Sequence, residues 1–461
     1  MKNRVPKLLA GGVLAAAIVA VGILARLWLA ETYPPLESSG ATDKPNIIVV
    51  LIDTLRADHL ALYGYEERVA PFLAKLGSAG TVFDHAFSTS SWTAPSTASV
   101  FTSLYPHRHG IIHGMVFHQA LMDKMKRTGE QVVPINSFSD SLTTLPSVLH
   151  SAGYATVGIA TNINIGDEIG YSRGFDRFVN ERNMPVEDVY DRIVQWKNDI
   201  LNAAPYFLYL HLNDAHEPYA RRDPYYTRAD GENENNRALY LSEIGYIDEY
   251  LPKIFDALGL DDNDIVVLVS DHGEEFLDHG DIFHNKTLYA ELNHSVFLVR
   301  GPGISVQRRA ENVSLIDVMP TVVEFAGASM PEERDGVSLV PLLTNGPGAE
   351  ALSRELNDRI LIAHRSGDTR GQQSSEREVW AAAHENWKLI RKADGTLELY
   401  DHATDPTEHN DVAKANPTIV EELSLSLEPY RDRANWGDAG VSNVEMNEQT
   451  IETLKSLGYV E

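Results

Sequence analysis

Three stretches far apart in the chain carry side chains able to assemble a cation site beside a nucleophile: Asp53, the pair Asp271-His272, and Thr93. Asp53 closes Asn46 to Ile52 (NIIVVLI), and Asp271-His272-Gly273 follow Ile265 to Ser270 (IVVLVS). Both runs are short, continuous and rich in β-branched residues, the pattern of strands buried on both faces of a parallel sheet. Ligands bind beyond the carboxyl ends of such strands, so two strands deliver two carboxylates and an imidazole to one edge. That set suits one divalent metal ion, calcium, manganese, magnesium or zinc, without choosing among them. Taken singly, either aspartate could instead cap a helix after its strand.

Thr93 stands in Trp92 to Ser99 (WTAPSTAS), which with Val100, Phe101 and Leu104 reads as a loop turning into a helix with Pro95 in its first turn. The free N–H groups and partial positive charge of a helix start suit the oxygens of a phosphate or sulfate group. A hydroxyl there, also on the metal, could lose its proton near neutral pH and attack a tetrahedral ester centre. An ordinary N-cap is the alternative role for this threonine.

The elements that must position these residues are also readable. Tyr206 to Leu212 (YFLYLHL) and Ala155 to Ile159 (ATVGI) resemble the first two runs, and helical patterns at Ala70 to Gly77, Leu145 to Ala152 and Leu239 to Leu258 lie between them. Alternation of this kind predicts an α/β fold with a large, mostly parallel sheet flanked by helices. Beyond a Gly and Pro-rich patch at Leu342 to Gly348, Val379 to Ala383, Asn386 to Ile390 and Leu397 to Tyr400 read as antiparallel strands with a turn at Asp394-Gly395. The predicted division is a catalytic domain over 45–345 and a smaller antiparallel C-terminal subdomain over 346–461.

Ahead of these, Leu8 to Ala25 is an unbroken apolar and Gly run, near the roughly 20 residues that cross a bilayer. Lys2, Arg4 and Lys7 precede it, so residues 1–30 are expected to form a single-pass anchor in the inner (cytoplasmic) membrane, or a cleaved signal segment of a secreted protein. Residues 31–44 read as a linker, and either route places the catalytic part in the periplasm or outside the cell.

Composition narrows the chemistry. The 461 residues carry 39 Lys plus Arg against 66 Asp plus Glu, a formal charge of −27, so nucleic acid is excluded as an expected partner. There is no cysteine, which removes disulfides, thiol catalysis, iron–sulfur clusters and Cys-ligated zinc. Any metal rests on His and carboxylates.

Asn46 to Tyr65 (NIIVVLIDTLRADHLALYGY), Thr93 to Gly110 (TAPSTASVFTSLYPHRHG), His211 to Tyr219 (HLNDAHEPY), Ser270 to Gly280 (SDHGEEFLDHG), Asn285 to Leu292 and Asp317 to Gly327 (DVMPTVVEFAG) resemble, in order, the motif series of the sulfatase family in the alkaline phosphatase superfamily. Trp387-Lys388, Leu399-Tyr400-Asp401 and Leu457-Gly458-Tyr459 look like the family's tail. The resemblance implies that Asp53, Asp271 and His272 are metal ligands and that Thr93 stands where the nucleophile does. It further implies that His216 lies near the leaving group and Lys286 contacts the transferred group's oxygens; a structural hydrogen bond for His216 and a solvated surface position for Lys286 are the alternatives. His211, His279 and Asn162 are expected around the site; His284 and His294 are further histidines near these motifs, and Arg56 is a weaker candidate with a surface or packing role as the alternative. A second metal on Asp214 and His216 does not fit the expected spacing.

The chain also departs from that pattern. Sulfatases carry Cys or Ser at the position of Thr93, for oxidation to a formylglycine hydrate, and Arg at that of Thr97. Thr54 replaces the second aspartate of the opening pair, and Gly158 to Gly166 (GIATNINIG) replaces a stretch with a lysine–histidine pair. A secondary hydroxyl cannot be oxidised to an aldehyde, so the expectation is a metal-dependent hydrolase of sulfate or phosphate mono- or diesters that forms a covalent intermediate on Thr93. The substrate is expected to be small, or linked to a lipid or glycan. The competing readings are a membrane-anchored phosphoethanolamine or phosphoglycerol transferase, and an inactive binding protein on the same scaffold.

Overall fold

The computed structural model describes residues 33–40, 44–66, 69–114, 132–366, 378–438 and 440–445. The chain divides into two compact units, 1–35 and 36–461. The expected N-terminal span and the tail motif at 457–459 lie outside the described residues; among the described residues no helix is long and apolar enough to cross a membrane.

The strands in chain order are β1 (Ile47–Ile52), β2 (Thr81–Phe87), β3 (Val132–Ser137), β4 (Ala155–Ala160), β5 (Arg177–Asn180), β6 (Tyr206–Leu212), β7 (Ile265–Ser270), β8 (Glu275–Phe276), β9 (Ile282–Phe283), β10 (Phe297–Arg300), β11 (Gln307–Ser314), β12 (Leu361–Arg365), β13 (Val379–His384), β14 (Trp387–Arg391), β15 (Leu397–Asp401) and β16 (Gly440–Glu445). Eight of them form the central sheet in the order β11-β2-β10-β7-β1-β6-β4-β5. The pairings are parallel except where β10 runs antiparallel to β7 and β2. Every residue of β1, β4, β6 and β7 is buried, as continuous apolar runs require when helices cover both faces.

Register places the chemistry. Ile52 lies opposite Leu212 on β6 and Ser270 on β7, so Asp53, Asn213 and Asp271 leave the sheet at one level. The helix Thr93–Thr102 is buried along its whole length, which its Ala, Ser and Thr content permits sterically. Three of its hydroxyls are tied down within the fold: Ser96 Oγ donates to the Ser90 carbonyl, Ser99 Oγ accepts from Thr89 Oγ1, and Thr102 Oγ1 donates to the Ala98 carbonyl. Such a helix holds its first residue in place.

The C-terminal sheet is antiparallel in the order β12-β13-β14-β15. One face packs Ile362, Trp380, Leu389 and Leu399 against Leu423 and Leu427 of the helix Pro417–Arg431. Its edge strand β12 reaches the main site: the His364 N–H donates to the Thr89 carbonyl, and Arg365 Nε to the Asn285 carbonyl. Leu352 and Leu356, which precede β12, belong to the main core.

One buried ion pair fastens this sheet. Lys388 Nζ on β14 lies 2.9 Å from Glu408 Oε1, with both side chains almost wholly buried, and Glu408 also accepts from His402 Nε2 and the Ala290 N–H. Burial opposes the charged carboxylate, yet Lys388 and His402 bring the Glu408 pKa down to about 2. A folded-state value below the ordinary one stabilises above the unfolded pKa, so this contribution is complete above about pH 4.5 and is lost as pH falls toward 2. Glu408→Ala leaves the lysine charge buried and is expected to cost about 3 to 5 kcal/mol in thermal unfolding at pH 7, and less at pH 3.

Candidate active site

Asp53, Asp271 and His272 meet beyond the ends of β1 and β7, each fully buried, with candidate ligand atoms all within 4.8 Å of one another. Thr93 joins them: its Oγ1 lies 3.3 Å from Asp53 Oδ2 and 3.3 Å from His272 Nε2. Trp92 is the N-cap and Thr93 the first helical residue, one position further in than an N-capping threonine. Its hydroxyl caps nothing and points to the acidic cluster instead.

The histidine's tautomer follows from its neighbours. His272 Nδ1 lies 2.8 Å from the Gly273 carbonyl, which can only accept, so Nδ1 carries the proton and Nε2 presents a lone pair. That lone pair faces Asp53 Oδ1 at 3.4 Å and Asp271 Oδ2 at 3.5 Å. Burial, reinforced by His284, pushes the His272 pKa down to about 3, which keeps the ring neutral. Burial would raise Asp53, but the bond from His211 and the fields of His216 and His272 hold it below the usual carboxylate range. Asp271 is raised, first by burial and then by the charge of Asp53. Its Oδ1 accepts from the N–H groups of Thr54 and His272, whereas Oδ2 is buried with no hydrogen-bond partner. An orphaned carboxylate oxygen, a second carboxylate and a bare imidazole nitrogen form a donor set that fits a divalent cation.

Around this set the surrounding residues fix orientation. Asn162 Nδ2 donates to Asp53 Oδ2 at 2.8 Å and lies 2.9 Å from Asn213 Oδ1. His211 Nε2 is 3.4 Å from the same Asp53 oxygen. Thr54, where the family has aspartate, adopts φ 56°, an unfavourable left-handed conformation for a β-branched residue, and its hydroxyl lies 2.8 Å from the Ala215 carbonyl. Thr97, where the family has arginine, buries a hydroxyl with no partner. Removing the amide that orients Asp53, by Asn162→Ala, is expected to weaken divalent-cation affinity about 10- to 100-fold in a calorimetric titration.

The remaining candidates separate. His216 Nδ1 lies 2.5 Å from the Glu217 carbonyl and so donates to it, leaving a buried Nε2 without a partner. Lys286 is 43% exposed and bonds Asp281 Oδ1 at 2.9 Å, so it does not touch the four residues at the cluster. Its neighbour Asn285 donates to the Ser91 carbonyl, two residues before Thr93, so the lysine's backbone borders the loop that leads into Thr93. An exposed pair of this kind is worth at most about 1 kcal/mol, a small cost for re-aiming the side chain. His279 has both ring nitrogens engaged, by Glu291 Oε1 at 2.8 Å and the Glu408 carbonyl at 2.9 Å, away from the cluster. Arg56 is buried against Asp58 and Asp278 and serves packing. His294 bonds the Asp84 carbonyl.

His284, one of the histidines near the motifs, stands beside the cluster. Its ring centroid is 4.8 Å from those of both His216 and His272, and its Nδ1 bonds the buried Glu274 carboxylate at 2.9 Å. Glu274 also accepts from Tyr219 OH at 2.8 Å. Burial disfavours protonated His284, but Glu274 outweighs it and raises the pKa.

The family model described as Sulfatase matches residues 45–328, more than half of the chain, and that described as N-sulphoglucosamine sulphohydrolase, C-terminal, matches 278–432. Arylsulfatase K of Canis lupus familiaris is 30% identical over 235 residues, 49% of this chain and 42% of that protein. Arylsulfatase K of Mus musculus is 23% identical across 96% of this chain and 89% of that protein. The crystal structure of the phosphonate monoester hydrolase of Agrobacterium radiobacter has the same fold, with a TM-score of 0.67 at 18% identity over 84% of this chain and 96% of that one. The chain belongs to the sulfatase family and is a hydrolase of sulfuric or phosphoric esters.

Proposed function

We propose that Thr93 is the nucleophile of a metal-dependent ester hydrolase, with Asp53, Asp271 and His272 holding one divalent cation. The observation that carries this reading is the Thr93 hydroxyl, buried and 3.3 Å from both Asp53 Oδ2 and His272 Nε2. A divalent cation bound there supplies Lewis-acid polarisation of the ester and lowers the pKa of a nearby hydroxyl. Asp53 accepts the hydrogen bond of the Thr93 hydroxyl and orients its lone pairs. As the hydroxyl proton passes to Asp53 Oδ2, Oγ1 attacks sulfur or phosphorus and the bond from that atom to the alcohol oxygen breaks. His216, in its doubly protonated form with Nδ1–H held by the Glu217 carbonyl, donates the proton on Nε2 to that departing oxygen. Water then attacks the sulfur or phosphorus atom and gives a proton to His216 Nε2, while the bond to Thr93 Oγ1 breaks, Oγ1 regains its proton from Asp53, and the inorganic acid leaves. The helix start at Thr93 turns its N–H groups toward the oxygens that gain charge.

Because Thr93 cannot yield a formylglycine hydrate, the intermediate must be hydrolysed at the central atom. That chemistry favours phosphorus over sulfur as the preferred centre. A parallel rate screen on aryl sulfate, phosphate monoester, phosphate diester and aryl phosphonate after metal reconstitution tests this. Turnover of at least one phosphorus ester above aryl sulfate is expected; turnover confined to aryl sulfate contradicts the preference. The apolar run from Leu8 to Ala25, with Lys2, Arg4 and Lys7 before it, supports an extracytoplasmic, membrane-attached site.

A further inference from the structure

His216 and Asn213 also line a cleft of about 190 Å³ between the loop after β6 and the helix Glu232–Ala257. Asn213 ties this cleft to the cluster, since its Oδ1 accepts from the same Asn162 amide that holds Asp53. One wall is apolar, from Met184, Pro185 and Pro218. The other carries three carboxylates, Asp214, Glu217 and Glu243, against a single guanidinium, Arg222.

That guanidinium is already shared. Arg222 Nε bonds Glu243 Oε2 at 2.7 Å, and its terminal nitrogens lie 3.3 Å from Glu187 and 3.5 Å from Asp214. Carboxylates therefore outnumber cations. Asp214 Oδ1 accepts from the Val186 N–H, while Oδ2 is buried with no hydrogen-bond partner. Burial above all, with Glu243 and Glu187 adding to it, pushes Asp214 up to about 7, and burial also raises Glu217 and Glu243. These shifts agree with a cleft that disfavours further negative charge.

We infer that this cleft receives the alcohol half of the ester, and that Asp214, Glu217 and Glu243 select a hydroxyl-bearing, uncharged alcohol over an anionic one. Carboxylate oxygens accept from hydroxyl groups, and the apolar wall takes carbon-bound hydrogens. A carboxylated alcohol meets repulsion that a single, already paired arginine does not offset. A quaternary ammonium alcohol is disfavoured as well, because among the described residues no aromatic ring apart from the His216 imidazole lines the cleft. The inference rests on the Thr93 reading, because it takes His216 as the group beside the departing oxygen.

The test uses two esters on one carbon skeleton, glycerol 2-phosphate and glycerate 2-phosphate, or the matching sulfates. With the metal-loaded full chain, kcat/KM is expected to favour the glycerol ester at least tenfold. Glu217→Gln, at the half-buried rim, and Glu243→Gln are each expected to reduce that preference severalfold through KM. A variant that only damages folding lowers both rates and leaves their ratio in place, which counts against the inference. A wild-type ratio near one overturns it. Dissociation constants of the two esters on Thr93→Ala give the same ratio without chemistry. If Thr93→Ala keeps its turnover, the nucleophile reading fails and the binding ratio alone decides the cleft.

Discussion

Thr93→Ala is expected to lower kcat by about a thousandfold or more while the protein folds and binds divalent cation as before. The variant removes one hydroxyl at the start of a buried helix. That hydroxyl makes only long contacts of 3.3 Å, so little stability is at stake, and the bonds that hold the helix run through Thr89, Ser96, Ser99 and Thr102. Asp53, Asp271 and His272 stay in place because β1 and β7 set their positions. Thr93→Ser restores a hydroxyl at the same carbon and is expected to return turnover to within about tenfold. Steady-state kinetics on the best ester from the screen checks both. An alanine variant that keeps wild-type kcat removes threonine from the reaction.

The second large effect is loss of the cation. Chelation is expected to abolish turnover, and reconstitution with calcium, manganese, magnesium or zinc to restore it to different extents. Lewis-acid stabilisation is worth several kcal/mol, so the metal-free protein should lose about three orders of magnitude or more in rate. Metal loading also relieves two buried carboxylates and the orphaned Asp271 oxygen, so it is expected to raise the thermal midpoint, as any ligand of the folded state does. Asp53→Asn removes a ligand charge and the acceptor facing Thr93 together. It should lose both the rate and the metal-dependent rise in the midpoint. Asp271→Asn should lose the rise in the midpoint as well, while the contacts between Thr93 and Asp53 remain. A chelated enzyme that keeps its rate contradicts a metal-dependent mechanism.

The four residues of the cluster were legible for a simple reason. Continuous β-branched runs mark buried parallel strands, and residues directly beyond such runs share one edge of the sheet; the register of Ile52 with Ser270 converts that pattern into contact. Pro95 marked the helix start to within one residue. The C-terminal strands were legible from their turn at Asp394-Gly395, where Gly395 takes φ 86°. What escaped depends on loops. His284 sits between Phe283 and Asn285, both with positive φ, beside strands of only two residues, and no periodicity announces such a segment. Asn162 was a candidate for the surroundings of the site, but its contact with Asp53 depends on β4 and β1 both flanking β6. β2 was obscured by Asp84 and His85 in its middle, and the reversed direction of β10 leaves no trace in Phe297 to Arg300. Lys286 was placed by resemblance, and its contact with Asp281 shows that position along the chain does not settle where a long side chain points.

Mass analysis of rapidly quenched enzyme, mixed with its best ester and digested to peptides, tests the central claim most directly. One sulfuryl or phosphoryl group on the peptide that contains Thr93, absent from Thr93→Ala, is the expected result. The same group on another residue, or unmodified Thr93 under conditions in which hydrolysis of the trapped ester is slower than the quench, contradicts the account.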